Sequence, residues 1–154
     1  MSIEDLYNLF KKCSGVSTDS RFIEKNELFF SLKGPNFNGN NYAKKAIENG
    51  AKYAVVDEKE FAIDKRYILV KNCLESLQEL SNYHRNKLKV KVIGITGSNG
   101  KTTSKELINS VLKTNFKTSY TKGNLNNHIG VPLTLLKIAS ETEIAIIEMG
   151  ANHI

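Results

Sequence analysis

The run Ile93-Gly94-Ile95-Thr96-Gly97-Ser98-Asn99-Gly100-Lys101-Thr102-Thr103 constrains the fold more than any other stretch of the chain. An apolar run, Val90 to Ile95, leads into it, and Leu107, Ile108, Val111 and Leu112 follow at the spacing of an amphipathic helix. The order is therefore strand, glycine-rich turn, helix, the context in which Gly-Lys-Thr forms a phosphate-binding loop. Gly97 and Gly100 let the backbone turn tightly and bring bare N–H groups up to phosphate oxygens. A helix starting near Thr102 adds the positive end of its dipole. Lys101 can reach the β- and γ-phosphates of a nucleotide such as ATP, and the Thr102 hydroxyl can ligate Mg²⁺. Ser98, Asn99 and Thr103 complete the expected nucleotide-binding set. The strict pattern G-x-x-x-x-G-K-[ST] wants glycine where this chain has Ile95, so the loop is a variant that ordinary kinases, GTPases and ATPases fit less well.

A length of 154 residues allows one good core or two small ones. Hydrophobic content of 40% and charged content of 25% are those of a soluble globular protein. No apolar run approaches the roughly 18 residues of a membrane span, so no membrane insertion is expected. The acidic start Met1-Ser2-Ile3-Glu4-Asp5-Leu6 has no signal-peptide core, which predicts the cytoplasm. Cys13 and Cys73 lack metal-ligand spacing and read as buried or idle thiols. The net charge of +6 suits anionic ligands, but the lysines are scattered with no basic stripe or interleaved aromatics, so no nucleic-acid partner is expected.

Ile3, Leu6, Leu9 and Phe10 predict a short amphipathic helix, and Leu28 to Leu32 a strand. Gly, Pro and Asn content makes Lys33 to Asn40 a loop. A helix capped by Asn40 or Asn41 should bury Tyr42, Ala43, Ala46 and Ile47 and stop at Gly50. Further strands are predicted at Tyr53–Val56, Tyr67–Val70 and, weakly, Phe116–Tyr120. A longer helix carries Leu74, Leu77, Leu80, Tyr83 and Leu88, and the basic patch Arg85 to Lys91 marks a domain boundary, giving domains 1–88 and 89–154. Ile129 to Ile138 reads as a helix with Pro132 near its first turn. Ile144 to Ile147 reads as a strand buried on both faces of a parallel sheet. A sheet that stopped there would leave an apolar strand uncovered on at least one side. The expected class is α/β: a small N-terminal α/β domain followed by the start of a phosphate-loop parallel-sheet domain.

Two constellations stand near that loop. Glu148 ends the last buried strand, at the sheet edge where the phosphate loop also leaves Ile95, and a carboxylate there can ligate the same Mg²⁺. An ordinary solvated glutamate would fit the position too. Gly123 to Gly130 packs Asn124, Asn126 and Asn127 into one loop; the amides suit a polar uncharged substrate group, although turn chemistry alone also favours Asn. His128 reads as a helix-start residue, His84 as a helix-surface residue, and His153 as a candidate neighbour of the site.

The Gly97–Thr103 loop, Lys122-Gly123-Asn124-Leu125-Asn126-Asn127, Ile129-Gly130-Val131-Pro132-Leu133-Thr134-Leu135-Leu136 and Glu148-Met149-Gly150-Ala151-Asn152-His153, in that order, resemble the Mur ligases. Within them they are most similar to the branch that joins D-alanyl-D-alanine to UDP-N-acetylmuramoyl-tripeptide. Ser17-Thr18-Asp19-Ser20-Arg21, Leu28 to Gly34 and Phe37-Asn38-Gly39 resemble that family's UDP-binding domain. The chain departs from the family at Asn38-Gly39-Asn40, where Asp-Gly-His is frequent, and at His128, where an acidic residue is. The resemblance implies an ATP- and Mg²⁺-dependent amide ligase of peptidoglycan precursor synthesis working through an acyl phosphate. It implies Lys101 as the catalytic residue and Thr102 and Glu148 as metal ligands. It also implies Ser17, Asp19, Ser20, Arg21, Lys33, Gly34, Asn38, Asn124, Asn126 and Asn127 around the substrate.

Family members continue for several hundred residues, so the chain is expected to be an N-terminal portion, inactive as a ligase by itself and lacking the C-terminal part of the same enzyme. Two other readings share the phosphate loop: a folate- or cyanophycin-type ligase, against which Thr18-Asp19-Ser20-Arg21 argues, and a non-catalytic nucleotide- or UDP-sugar-binding module.

Overall fold

The computed structural model describes residues 1–150. The chain forms two compact α/β units, the first ending at Leu80 and the second beginning at Ser81. No helix among the described residues is long and apolar enough to cross a membrane.

The first unit opens with α1 (Ile3–Phe10), held at its start by a capping box between Ser2 and Asp5 and anchored by buried Leu6 and Phe10. Its strands are β1 (Val16–Ser17), β2 (Leu28–Phe30), the small pair β3 (Lys33–Gly34) and β4 (Phe37–Asn38), then β5 (Tyr53–Val56) and β6 (Tyr67–Leu69), with α2 (Ala43–Glu48) between β4 and β5. The main sheet has the order β1-β2-β5-β6, with every pairing parallel. Leu28, Phe29 and Phe30 are all buried, as a strand covered on both faces requires. Phe29, Ala43, Ala46, Ile47, Ala54, Val56 and Tyr67 form one core cluster.

Three expectations fail in the stretch after β2. Residues 33–38 are no plain loop: Lys33 pairs with Asn38 and Gly34 with Phe37 in an antiparallel hairpin. Neither Asn40 nor Asn41 caps α2; Asn38 accepts from the Asn40 amide at the head of a 3₁₀ turn, Gly39–Tyr42, that precedes the helix. Tyr42 is not buried with Ala43 but lies exposed, stacked on Phe37 with ring centroids 5.2 Å apart. The turn adds residues before the helix and rotates Tyr42 off its buried face. Gly39 is needed there for space. A Cβ on it would lie 2.3 Å from the Leu32 carbonyl oxygen, with two further backbone atoms within 2.7 Å. Gly39→Ala is therefore expected to cost about 3 kcal/mol of stability. Urea unfolding followed by far-ultraviolet circular dichroism measures it, and a cost below about 1 kcal/mol would show that the backbone yields.

Helix α3 (Cys73–Lys87) contains the division between the units, and Cys73, Leu77, Leu80, Ser81 and His84 are buried along it. Burial pushes the Cys73 thiol up to about 12 and the Cys13 thiol up to about 11, so both are inert, as expected. His84 is not a surface residue. Its Nε2 lies 2.9 Å from the Ile138 carbonyl oxygen, a buried polar contact invisible to helical periodicity.

The second unit contains β7 (Lys91–Ile95), α4 (Lys101–Leu112), β8 (Thr118–Tyr120), α5 (Gly130–Leu136) and β9 (Ile144–Glu148). Its sheet order is β7-β9-β8, all parallel, so of these three the strand latest in sequence is the central one. All five residues of β9 are buried, and the partly uncovered apolar strand is β7, with Val92 and Ile93 exposed. Helix α4 departs in part from the expected amphipathic packing: Ile108 and Leu112 are partly buried, but the other two apolar positions are not. Leu107 and Val111 are 63% and 69% exposed, whereas Lys105 and Asn109 are buried. Asn109 Oδ1 accepts from the Thr118 hydroxyl at 2.9 Å, so this face meets polar partners.

Candidate active site

Parallel strands bring their C-terminal ends to one edge, and the loops there build the site in each unit. In the second unit the register sets Ile95 directly opposite Glu148. The Met149 amide donates to the Ile95 carbonyl at 2.8 Å, extending the ladder one step past the strand. The phosphate loop thus leaves β7 beside the strand-end carboxylate. Gly97 and Gly100 hold φ of +142° and +76°, values that L side chains adopt only under strain, and Gly100 immediately precedes the first residue of α4. Lys101 folds back over its own loop and donates to the carbonyls of Gly97 and Ser98.

Glu148 is the hub. Asn126 Nδ2 donates to Oε1 at 2.8 Å. The Thr102 hydroxyl lies 3.2–3.3 Å from both carboxylate oxygens. Lys105 Nζ lies 3.2 Å from Oε2, in a pair with both side chains fully buried. The Glu148 amide donates to the Thr121 hydroxyl at 2.9 Å. Burial pushes the carboxyl upward, but the hydrogen bonds from Asn126 and Lys105, the charge of Lys105 and the Thr102 hydroxyl together outweigh it and hold the group below its ordinary value. Glu148 is therefore ionised at neutral pH and is no solvated strand-end residue.

The three amides separate. Asn126 reaches Glu148, Asn127 accepts from the Ile129 and Gly130 amides ahead of α5, and Asn124 is exposed. His128 is exposed just ahead of that helix, and His153 lies outside the described residues, as do Ala151 and Asn152. The hydroxyl of Thr102 and the carboxylate of Glu148 offer hard oxygens to a divalent cation. The described residues contain no cluster of three or more acidic, histidine or cysteine side chains, so phosphate and water oxygens would complete its coordination. That donor set suits Mg²⁺, which keeps several waters and binds through one or two carboxylates plus phosphates.

In the first unit, Ser17 ends β1, and Ser17 to Arg21 form a self-contained turn. The Asp19 amide donates to Ser17 Oγ, and the Arg21 guanidinium meets the Asp19 carboxylate at 2.6 Å. Hydrogen bonds from Arg21 pull the Asp19 carboxyl down to about 2. Arg21 is exposed and Ser20 is buried. Lys33 follows β2 and lies 2.8 Å from both Asp57 and Glu58, which follow β5. Asn38 Nδ2 donates to Glu58, and buried Asn40 donates to Asp57 and accepts from its amide. Gly34 is exposed in the hairpin.

Sequence reasoning missed Asp57, Glu58, Thr121 and Lys105, and it read Asn40 as a helix cap and not as the partner of Asp57. Asp57 and Glu58 carry the signal that singled out Glu148: carboxylates directly after an apolar strand.

A parallel sheet with a glycine-rich lysine loop opposite a strand-end carboxylate defines a phosphate-loop α/β protein. A family model described as "Mur ligase family, catalytic domain" matches residues 12–92, and one described as "Mur ligase middle domain" matches residues 95–154. The chain belongs to the Mur ligase family. Over 90% of its length it is 44% identical to the UDP-N-acetylmuramoyl-tripeptide–D-alanyl-D-alanine ligase of Bacillus subtilis and 40% identical to that of Escherichia coli, covering 31% and 30% of those proteins. A crystal structure of MurF from Acinetobacter baumannii superposes with a TM-score of 0.86 at 34% identity over 99% of this chain and 36% of that one. MurF ligase from Thermotoga maritima, solved in complex with ADP, gives 0.80 at 30% identity over 90% of this chain and 32% of that one. The chain spans about a third of the length of these relatives.

Proposed function

We propose that this chain supplies the UDP-holding unit and the ATP-phosphate cradle of an ATP-dependent ligase that adds D-alanyl-D-alanine to UDP-N-acetylmuramoyl-tripeptide. The observation that carries this reading is the juxtaposition, in register, of the Lys101 loop and the ionised Glu148, within a chain so similar to ligases of that name. In the proposed reaction the γ-phosphoryl group of ATP passes to the tripeptide's terminal carboxylate, giving an acyl phosphate and ADP. The amine of D-alanyl-D-alanine then attacks the acyl carbon, forming the amide and releasing phosphate. Lys101 swings from its loop carbonyls to the phosphoryl oxygens, where its charge offsets the negative charge in flight. The loop amides and the start of α4 hold the β-phosphate. Thr102 and Glu148 would hold Mg²⁺, which when bound neutralises phosphate charge and fixes its orientation. Asn126 keeps Glu148 aimed and places its own loop beside the reacting end.

The edge residues of the first unit, Ser17, Asp19, Ser20, Arg21, Lys33, Gly34 and Asn38, take the UDP end. Arg21 and Lys33, paired here with Asp19 and with Asp57 and Glu58, turn to the diphosphate, and Ser17 and Asn38 supply neutral hydrogen-bonding groups. Titrating ¹⁵N-labelled chain with UDP is expected to shift amides of residues 17–21 and 33–41, whereas ADP with Mg²⁺ shifts those of 97–103. UDP shifts confined to 97–103 would show that UDP uses only the phosphate loop, and the first unit would lose its assigned role.

A further inference from the structure

Lys105 is a fully buried lysine that the proposed chemistry does not use. Its ammonium lies 3.2 Å from Glu148 Oε2, 3.0 Å from the Gly123 carbonyl oxygen and 3.5 Å from Glu106 Oε1, the last a half-exposed residue. The carboxylate it meets is already engaged on both oxygens, Oε1 by Asn126 and both by Thr102. We propose that Lys105 is the resident counter-cation of Glu148, and that it makes the site refuse a bare divalent cation and accept one only together with nucleotide phosphates.

The charges favour this directly. Lys101 and Lys105 together offset the negative charges of Glu148 and Glu106, so a bare Mg²⁺ meets no net attraction. Nucleotide phosphates bring that attraction, and their oxygens supply the ligands that Thr102 and Glu148 cannot. The ammonium need not leave when the cation arrives. It meets Oε2 and is tied to the Gly123 carbonyl and Glu106, whereas the Thr102 hydroxyl also reaches Oε1, so Oε1 is the oxygen left for the cation. Lys105 is thus a positioning residue: it keeps Glu148 ionised, aimed and formed before nucleotide binds.

The inference rests on the metal-nucleotide reading of the site, and one experiment separates the two. Free Mn²⁺ is measured by electron paramagnetic resonance while it is titrated into the 154-residue chain, alone and with ADP, for the parent and for Lys105→Met. The parent is expected to bind Mn²⁺ at least about tenfold more tightly with ADP, beyond the affinity of Mn²⁺ for ADP itself. Lys105→Met is expected to bind Mn²⁺ alone at least about tenfold more tightly than the parent, because an uncompensated Glu148 remains. A ternary complex in the parent with no gain of cation affinity in folded Lys105→Met would overturn the inference alone, leaving Lys105 as a prop for the Gly123 loop. Absence of the ternary complex in the parent would overturn the nucleotide reading as well. Should Lys105→Met not fold, the parent still decides: equal Mn²⁺ affinity with and without ADP would sink the proposal.

Discussion

Replacing Glu148 with leucine is expected to cost the second unit about 3–5 kcal/mol, enough to leave much of it unfolded at room temperature. The substitution leaves the Lys105 ammonium, in a site with no solvent access, only the Gly123 carbonyl and the more distant Glu106 carboxylate, and it removes the acceptor for Asn126 and Thr102. A buried charge without its partner is among the few single-residue changes with so large an effect. Pairing Glu148→Leu with Lys105→Met should recover a substantial part of the loss, since both charges then leave together. Urea unfolding by circular dichroism measures both variants, and a cost under about 1 kcal/mol for Glu148→Leu alone would show that Lys105 finds another partner. Acid should imitate the substitution. The folded-state carboxyl is held below its ordinary 4.5, so the stability it contributes is present above pH 4.5 and is lost as pH falls through the folded-state value.

Lys101→Ala is expected to do the opposite: to leave stability nearly unchanged and remove catalysis. Among the described residues the side chain donates to the carbonyls of Gly97 and Ser98 in its own loop and is only partly buried, so its loss should stay within about 0.5 kcal/mol in unfolding experiments. In a full-length ligase carrying this segment, turnover should fall on the order of 10³-fold, because the lysine's strongest interaction is with charge that develops on the phosphoryl group in flight. ADP release in the presence of UDP-muramyl-tripeptide, ATP, Mg²⁺ and D-alanyl-D-alanine reads it. Turnover within tenfold of the parent would exclude Lys101 from the chemistry.

The parts of this molecule that were legible in the sequence are those written in local patterns. The strand–loop–helix at 91–112 and the buried strand 144–148 follow from a glycine-lysine spacing and a continuous apolar run. Glu148 was found because strand ends share an edge in parallel sheets. What stayed hidden depends on partners distant in sequence. Lys105 carries no local signal, because its partners Glu148 and Gly123 are distant in sequence, and helical periodicity places Leu107 and Val111 inside where Lys105 and Asn109 are buried. His84 was misread for the same reason, its partner being the Ile138 carbonyl. Tyr42 failed locally: the Gly39–Tyr42 turn shifts the helix start, and residue polarity carries no trace of that.

The position of β9 between β7 and β8 has a consequence for biosynthesis. In the first unit, β1, β2, β5 and β6 pair in the order in which the ribosome releases them. In the second, β7 and β8 have no edge in common, so among the described residues neither has a strand to pair with until residues 144–148 have left the exit tunnel. At roughly 5–20 residues per second, the phosphate-loop strand waits several seconds as an unpaired apolar segment. Val92 and Ile93 thus gain their strand partners only once Ala145 and Ile146 have emerged.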